Sequence, residues 1–210
     1  MRVRDLFVAR NYVTTVNDKD TVTEALDKIR KSGYRSVPVV DADDNYKGMI
    51  YKIHLIEYLY EQNGDASTTI DSIVKHKDDC IEETSSFLDA LLKIKALPFI
   101  SVTDHGKLVG ILTHNQIEGV FEDAFGVKTG GLNLTISSTE ARGMIEKLAR
   151  TLRGENIEGM LTLDNGSVLV RRVVLTLEGE KSDDEVSALR TKLEKAGFRI
   201  LQIERLAAQN

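Results

Sequence analysis

Two short segments of the 210-residue chain combine residue types able to hold an anion: Gly110-Ile-Leu-Thr113-His-Asn-Gln116 and Gly48-Met-Ile-Tyr51-Lys-Ile-His54. In each, a glycine and two apolar residues lead into polar groups at the start of an expected helix. A helix start presents free N–H groups and positive potential to an anion. The hydroxyl of Thr113 adds a donor and an acceptor beside them; the same hydroxyl also suits a plain helix N-cap, and both roles are open to it. Arg35 either holds a phosphate, for which its fork is suited, or is a solvated arginine at a strand start. Tyr51 either stacks on an aromatic base, a contact worth about 1–3 kcal/mol in nucleic-acid complexes, or covers a domain edge.

Other reactive side chains point nowhere in particular. His54, His76, His105 and His114 lack the spacing of a helical two-histidine metal site, and no cysteine cluster accompanies them. Cys80 is the single cysteine and has no partner visible in the sequence, which makes it a structural thiol. No nucleophile–base pair, carboxylate dyad or metal cluster stands out. The expectation is a protein without catalysis, metal or cofactor.

The elements that position these residues come from a repeat. Thr21-Val-Thr-Glu-Ala-Leu-Asp-Lys-Ile29 is similar to Ser86-Phe-Leu-Asp-Ala-Leu-Leu-Lys-Ile94, and Gly48-Met-Ile recurs as Gly110-Ile-Leu. Thr21 with Glu24, and Ser86 with Asp89, are capping-box signals. Apolar residues follow at helical spacing, Val22, Ala25, Leu26 and Ile29 in one copy and Phe87, Ala90, Leu91 and Ile94 in the other. Gly33 stops the first helix. Strands are expected at 36–40 and 48–50, and at 99–102 and 108–112, each pair followed by a helix, 53–60 and 115–121. The unit is strand, helix, strand, strand, helix.

After Gly126 the pattern changes. A strand is expected over 132–136, then a helix capped by Ser137 and Glu140 with Ala141, Ile145, Leu148 and Leu152 inward. Strands 157–163 and 168–177 are joined by Asp164-Asn165-Gly166, a hairpin signal. Ser182 and Glu185 cap a second helix that stops at Gly197, and 199–206 is a last strand. This βαββαβ order is a ferredoxin-like split unit. Arg171-Arg172 falls within a strand, at a sheet edge or a dimer interface.

Composition narrows the class. With 41% hydrophobic residues the chain can bury a core. A net charge of -5, from 28 basic and 33 acidic side chains, argues against a nucleic-acid binder. A single cysteine fits a reducing cytosol. No apolar run has the length of a signal peptide core or a membrane span. A soluble cytoplasmic protein is expected, with no membrane or nucleic-acid partner.

The repeated unit, with its Gly-apolar-apolar-Thr segment, resembles the CBS family, whose modules occur in pairs. The βαββαβ segment behind it resembles an ACT domain. The expected fold class is α+β: module 1 over 1–64, module 2 over 65–126, a linker at 127–131 and an ACT-like domain over 132–210. The combination is similar to bacterial CBS-ACT regulatory proteins and cyclic di-AMP receptors. The resemblance implies clefts for an adenine nucleotide. Thr113 and Gln116, with Tyr51 and His54 in the other copy, would hold phosphate or ribose. The strands at Ser36-Val37-Pro38 and Ile100-Ser101 would read the adenine edge. Thr14, Thr15, Cys80 and Ile81 would lie beside the base.

The family pattern has Asp where Gln116 and His54 stand, and Thr or Ser where Tyr51 stands. A carboxylate grips an open ribose diol, which a cyclic dinucleotide does not offer. With Arg35 and Lys52 near, cyclic di-AMP is placed first and AMP or ATP next. ACT domains often bind an amino acid near a strand–helix glycine, and Arg142-Gly143 falls near that place. Two other functions remain open: an interaction or assembly protein with degenerate clefts, and an amino-acid sensor. The resemblance also implies a homodimer acting on an unknown protein target.

Overall fold

The computed structural model describes residues 1–140, 142–163 and 170–208. It divides into two compact units, Met1–Ile117 and Glu118–Asn210. No helix among the described residues is long and apolar enough to cross a membrane.

The first unit contains the repeat as two small sheets. In the first copy, β2 (Val16–Asn17) lies parallel to β3 (Ser36–Val40), and β3 pairs antiparallel with β4 (Tyr46–Tyr51). Helix α1 (Val22–Ser32) comes between β2 and β3, and α2 (Lys52–Tyr60) follows β4. In the second copy, β5 (Cys80–Glu82), β6 (Phe99–Asp104) and β7 (Lys107–Thr113) pair in the same way. Helix α3 (Phe87–Lys93) and α4 (His114–Phe125) take the corresponding places.

Local chemistry sets the helix starts. Thr21 Oγ1 accepts from the Glu24 N–H while Glu24 Oε2 accepts from the Thr21 N–H at 2.8 Å. Ser86 and Asp89 do the same for α3. Gly33, at φ +76, ends α1 in the left-handed conformation that a side chain disfavours. The apolar stripe of α1, Val22, Ala25, Leu26 and Ile29, is buried against Val37, Val39 and Ile50 of the sheet. Burying such side chains contributes about 1.5–3 kcal/mol each, which outweighs any single surface contact.

The two copies are interlocked through their sheet edges. Strand β1 (Val8–Ala9), which precedes the first copy, pairs antiparallel with β7 of the second, Val8 opposite Ile111. Conversely Lys75, which precedes the second copy, bridges Met49 of β4 with backbone hydrogen bonds of 2.7 and 2.9 Å. Each module thus covers the other's free edge.

The second unit is a four-stranded antiparallel sheet. Its strands are β8 (Gly131–Ser138), β9 (Ile157–Leu163), β10 (Arg171–Leu177) and β11 (Arg199–Leu206), in the order β11-β8-β10-β9. This is the ferredoxin-like order expected from the βαββαβ pattern. Helices α5 (Met144–Thr151) and α6 (Asp183–Lys195) bury Met144, Leu148, Leu189 and Leu193 against Leu134, Ile136, Val173 and Leu175. The Ser182–Glu185 capping box is present.

The expected Ser137–Glu140 capping box is not formed. The first strand continues through Ser137 and Ser138, both buried, because Ser137 pairs with Arg172 on one side and Arg199 on the other. Ser138 Oγ instead takes the Glu140 N–H at 3.1 Å, and α5 begins only after Gly143 at φ +77. The late start rotates the helix, so Met144 joins Leu148 and Leu152 inside while Ile145 is 41% exposed. Ala141, the Asp164-Asn165-Gly166 hairpin and the first residues of the 168–177 strand lie outside the described residues. Arg171 and Arg172 begin an inner strand rather than an edge.

The interlock makes a specific demand on Gly110, where an added Cβ would stand 2.2 Å from the Val8 carbonyl oxygen and 2.4 Å from the Phe7 ring. Gly110→Ala is therefore expected to push β1 off β7 at a cost of about 1–3 kcal/mol, read as a lower urea midpoint.

Candidate functional site

A cavity of about 350 Å³ opens in the first unit, at the lower end of the size range of ligand pockets. Its walls come from three segments. Ser36, Val37 and Pro38 present the end of β3, with Tyr34 and Arg35 ahead of them. Pro98, Phe99, Ile111 and Thr113 come from the second copy. Val8, Tyr12, Val13 and Thr14 come from the N-terminal segment that crosses between the copies. The lining is mainly apolar, with Thr14, Ser36 and Thr113 as its aliphatic hydroxyls. Tyr12 and Tyr34 stand at the cavity, 76% and 56% exposed. They are flat faces free to lie against a ring.

Arg10 holds the N-terminal wall. Its guanidinium donates to Asp44 Oδ1 at 2.8 Å, to Thr15 Oγ1 at 3.1 Å and to the Val13 carbonyl at 3.2 Å. Thr15 is consequently a positioning group for this wall, and Thr14 alone of the two lines the cavity.

Thr113 lies where β7 runs into α4. Gln116 Oε1 accepts both from the Thr113 hydroxyl and from the Thr113 N–H, the latter at 3.1 Å. This is one half of a capping box, the side chain at the third helical position reaching back to the backbone N–H before the helix. Thr113 thus lines the cavity and also belongs to the start of α4.

A second cavity of about 370 Å³ shares Arg35, Ser36 and Pro98 with the first. Tyr51, Ile53 and Ile56 make it apolar, and Lys52 adds a cation near Arg35. Two apolar hollows therefore meet at a boundary with Arg35 and Lys52 close by.

The residues expected around the other cleft are brought together differently. Tyr51, His54 and His76 form a ring cluster, with Tyr51 5.0 Å from His54 and 5.9 Å from His76. The Tyr46 phenol donates to the His76 carbonyl at 2.9 Å and has Ser101, Cys80 and Asp79 around it. Burial drives this phenol far above its ordinary pKa, with Ser101 acting in the opposite direction. Burial, then the Asp79 carboxylate, also raises Tyr51. Ile100 and Ser101 are fully buried and Ile81 is 8% exposed, so they belong to the core.

In the second unit, a Cβ on Gly143 would meet nothing within 4 Å, and Arg142 is exposed. The backbone there has open space around it rather than a cradle. Among the described residues, no group of three or more His, Cys, Asp or Glu is arranged to hold a metal ion.

Sequence reasoning missed Val8, Tyr12, Val13, Tyr34, Pro98, Phe99 and Ile111. Tyr12 and Tyr34 left one signal, an aromatic in a polar segment just before a strand. Val8 and Ile111 left none, because their part depends on the exchange of segments between copies.

Two outcomes follow from this geometry. Gln116→Ala should cost about 0.5–1.5 kcal/mol through loss of the acceptor for the Thr113 N–H, while Gln116→Glu, which keeps the acceptor, should keep that stability, both read by urea unfolding. The raised Tyr46 pKa favours the neutral phenol in the folded state. Its contribution is complete below the ordinary value of 10.0 and is lost as pH rises through the higher folded value. Melting temperature should fall above about pH 10, and Tyr46→Phe should shrink that fall.

The comparisons with known proteins agree with this architecture. The CBS domain family model matches residues 3–61. The structure of CbpB in complex with c-di-AMP is similar at 21% identity and a TM-score of 0.53, over 58% of this chain and 85% of that one. CBSX2 in complex with AMP is 19% identical with a TM-score of 0.50, over 57% and 95%. A CBS domain pair/ACT domain protein from Thermotoga maritima is 21% identical with a TM-score of 0.50, over 58% and 98%. Residues 3–61 thus match the CBS domain model, and the first unit has the fold of a CBS pair.

Proposed function

We propose that this chain is a non-enzymatic regulatory sensor whose CBS pair binds an adenine nucleotide, with cyclic di-AMP as the favoured ligand. The observation that carries the reading is the pair of apolar hollows meeting at Arg35, Ser36 and Pro98. One adenine fits the deeper hollow against Val37, Pro38 and Ile111, with Tyr12 and Tyr34 at its mouth. The bridging phosphates then lie near Arg35 and Lys52, and the second base rests on Ile53 and Ile56. A mononucleotide fills only the first hollow and meets no carboxylate for its ribose diol, because Gln116 stands there. In support, structural neighbours have been solved with c-di-AMP and with AMP.

CBS domains are in general regulatory rather than catalytic modules, and binding would act by favouring one arrangement of modules or subunits over another. The homodimer, the cytoplasmic location, the protein target and the ACT-like relation of the second unit belong to the same reading. Thermal shift with cyclic di-AMP, AMP and ATP tests it. A ligand at a hundred times its dissociation constant stabilises the fold by about 2.7 kcal/mol. Cyclic di-AMP should give the largest saturable shift, Ser36→Trp should abolish it, and Arg35→Ala should weaken binding about tenfold or more. A larger shift with AMP that Arg35→Ala leaves intact would assign the site to a mononucleotide, and no shift with any of them would remove the sensor reading.

A further inference from the structure

The repeat gives the strand residues of the open cavity counterparts, and the strand ladders fix which. Pro38 opposes Met49 as Ser101 opposes Ile111, and Ser36 opposes Tyr51 as Phe99 opposes Thr113. Val8 beside Ile111 thus matches Lys75 beside Met49. Thr15, just ahead of Val16, matches Cys80, just ahead of Ile81.

Between these fixed points the copies differ in length. The chain takes 15 − 8 = 7 steps from Val8 to Thr15, but only 80 − 75 = 5 steps from Lys75 to Cys80. The longer segment makes a 3-10 turn at Arg10–Tyr12 and forms a wall of the open cavity. The shorter one must turn at once. His76 takes φ +55, the Asp79 N–H donates to the His76 carbonyl at 3.1 Å, and His76 Nδ1 meets Asp79 Oδ2 at 2.7 Å. This brings the imidazole onto Tyr51, which stands where the open cleft has Thr113. Tyr46 then fills the space beside Ser101 and Cys80, its phenol tied to the His76 carbonyl.

We propose that the Tyr46–Tyr51–His54–His76 cluster is a built-in plug, so that the pair takes one nucleotide per chain, in the open cavity. The stoichiometry rests on the nucleotide-binding reading; the plug itself does not. Cys80, the only thiol and a neighbour of Tyr46, reports on the plug without any ligand, through its rate of reaction with an aromatic disulfide reagent. Two variants loosen the plug: His76→Gly, which tolerates the positive φ, and Tyr46→Leu, which copies the residue type of Leu108 in the other copy. Circular dichroism shows that each variant is folded, and either one alone decides the matter if the other is not.

The expected result is a Cys80 rate raised on the order of tenfold by either variant, as a locally closed site opens. Equilibrium dialysis of the wild type with labelled cyclic di-AMP should give one ligand per chain, and saturating ligand should leave the Cys80 rate unchanged. Unchanged Cys80 rates in the folded variants, two ligands per wild-type chain, or protection of Cys80 by ligand would each overturn the plug. If the wild type binds no labelled nucleotide, the nucleotide reading fails, while the thiol rates still decide whether the cleft is plugged.

Discussion

The exchange of edge strands between the two copies is the constraint on which the first unit depends. A small three-stranded sheet has free backbone groups along its last strand, and such an edge must be covered. Here β4 and β7 are each covered by the segment that opens the opposite module. The cover also serves as a wall, because the chain that leaves each sheet edge passes the mouth of a cleft on its way to its own module. The cleft walls are therefore by-products of closing the sheets, and the length of each crossing segment sets whether the cleft stays open.

That dependence explains how two copies with the same strand order can differ in function. The capping boxes of their first helices, their strand registers and the glycine at the start of the last strand's apolar run are kept, since these specify the fold. The crossing segment and the residue at the end of the last strand, Tyr51 in one copy and Thr113 in the other, are free to vary. Two fewer residues and one larger side chain bring the His76 and Tyr51 rings together at the inner part of that cleft. The Tyr46 hydroxyl keeps a polar partner in the process, the His76 carbonyl, as a buried phenol requires.

Much of this was legible in the sequence because it is local. The capping boxes at Thr21, Ser86 and Ser182, the glycine stops and the repeated apolar stripes depend on neighbours three or four residues apart. The fourth box failed for a non-local reason: Ser137 is claimed by strands on both sides, and the ladder outweighs the cap. The same division holds for the site. Ser36, Val37, Pro38 and Thr113 follow from the motif, whereas Val8 and Ile111 meet only through the exchange. Tyr51 and His54, expected as ligand contacts, also lie against each other, with His76 beside Tyr51, which a motif does not record because it carries no loop length opposite it.

The interlock also bears on how the chain acquires its shape during synthesis. Val8 must find Ile111, 103 positions further along. The first module's own β2, β3 and β4 can pair as soon as they emerge, but β1 has no partner until β7 has been made. Pairings this distant in sequence form late, because loop closure must precede their reward. The β1–β7 wall of the open cavity cannot assemble before β7 exists, and a nascent chain ending before β7 lacks that wall altogether.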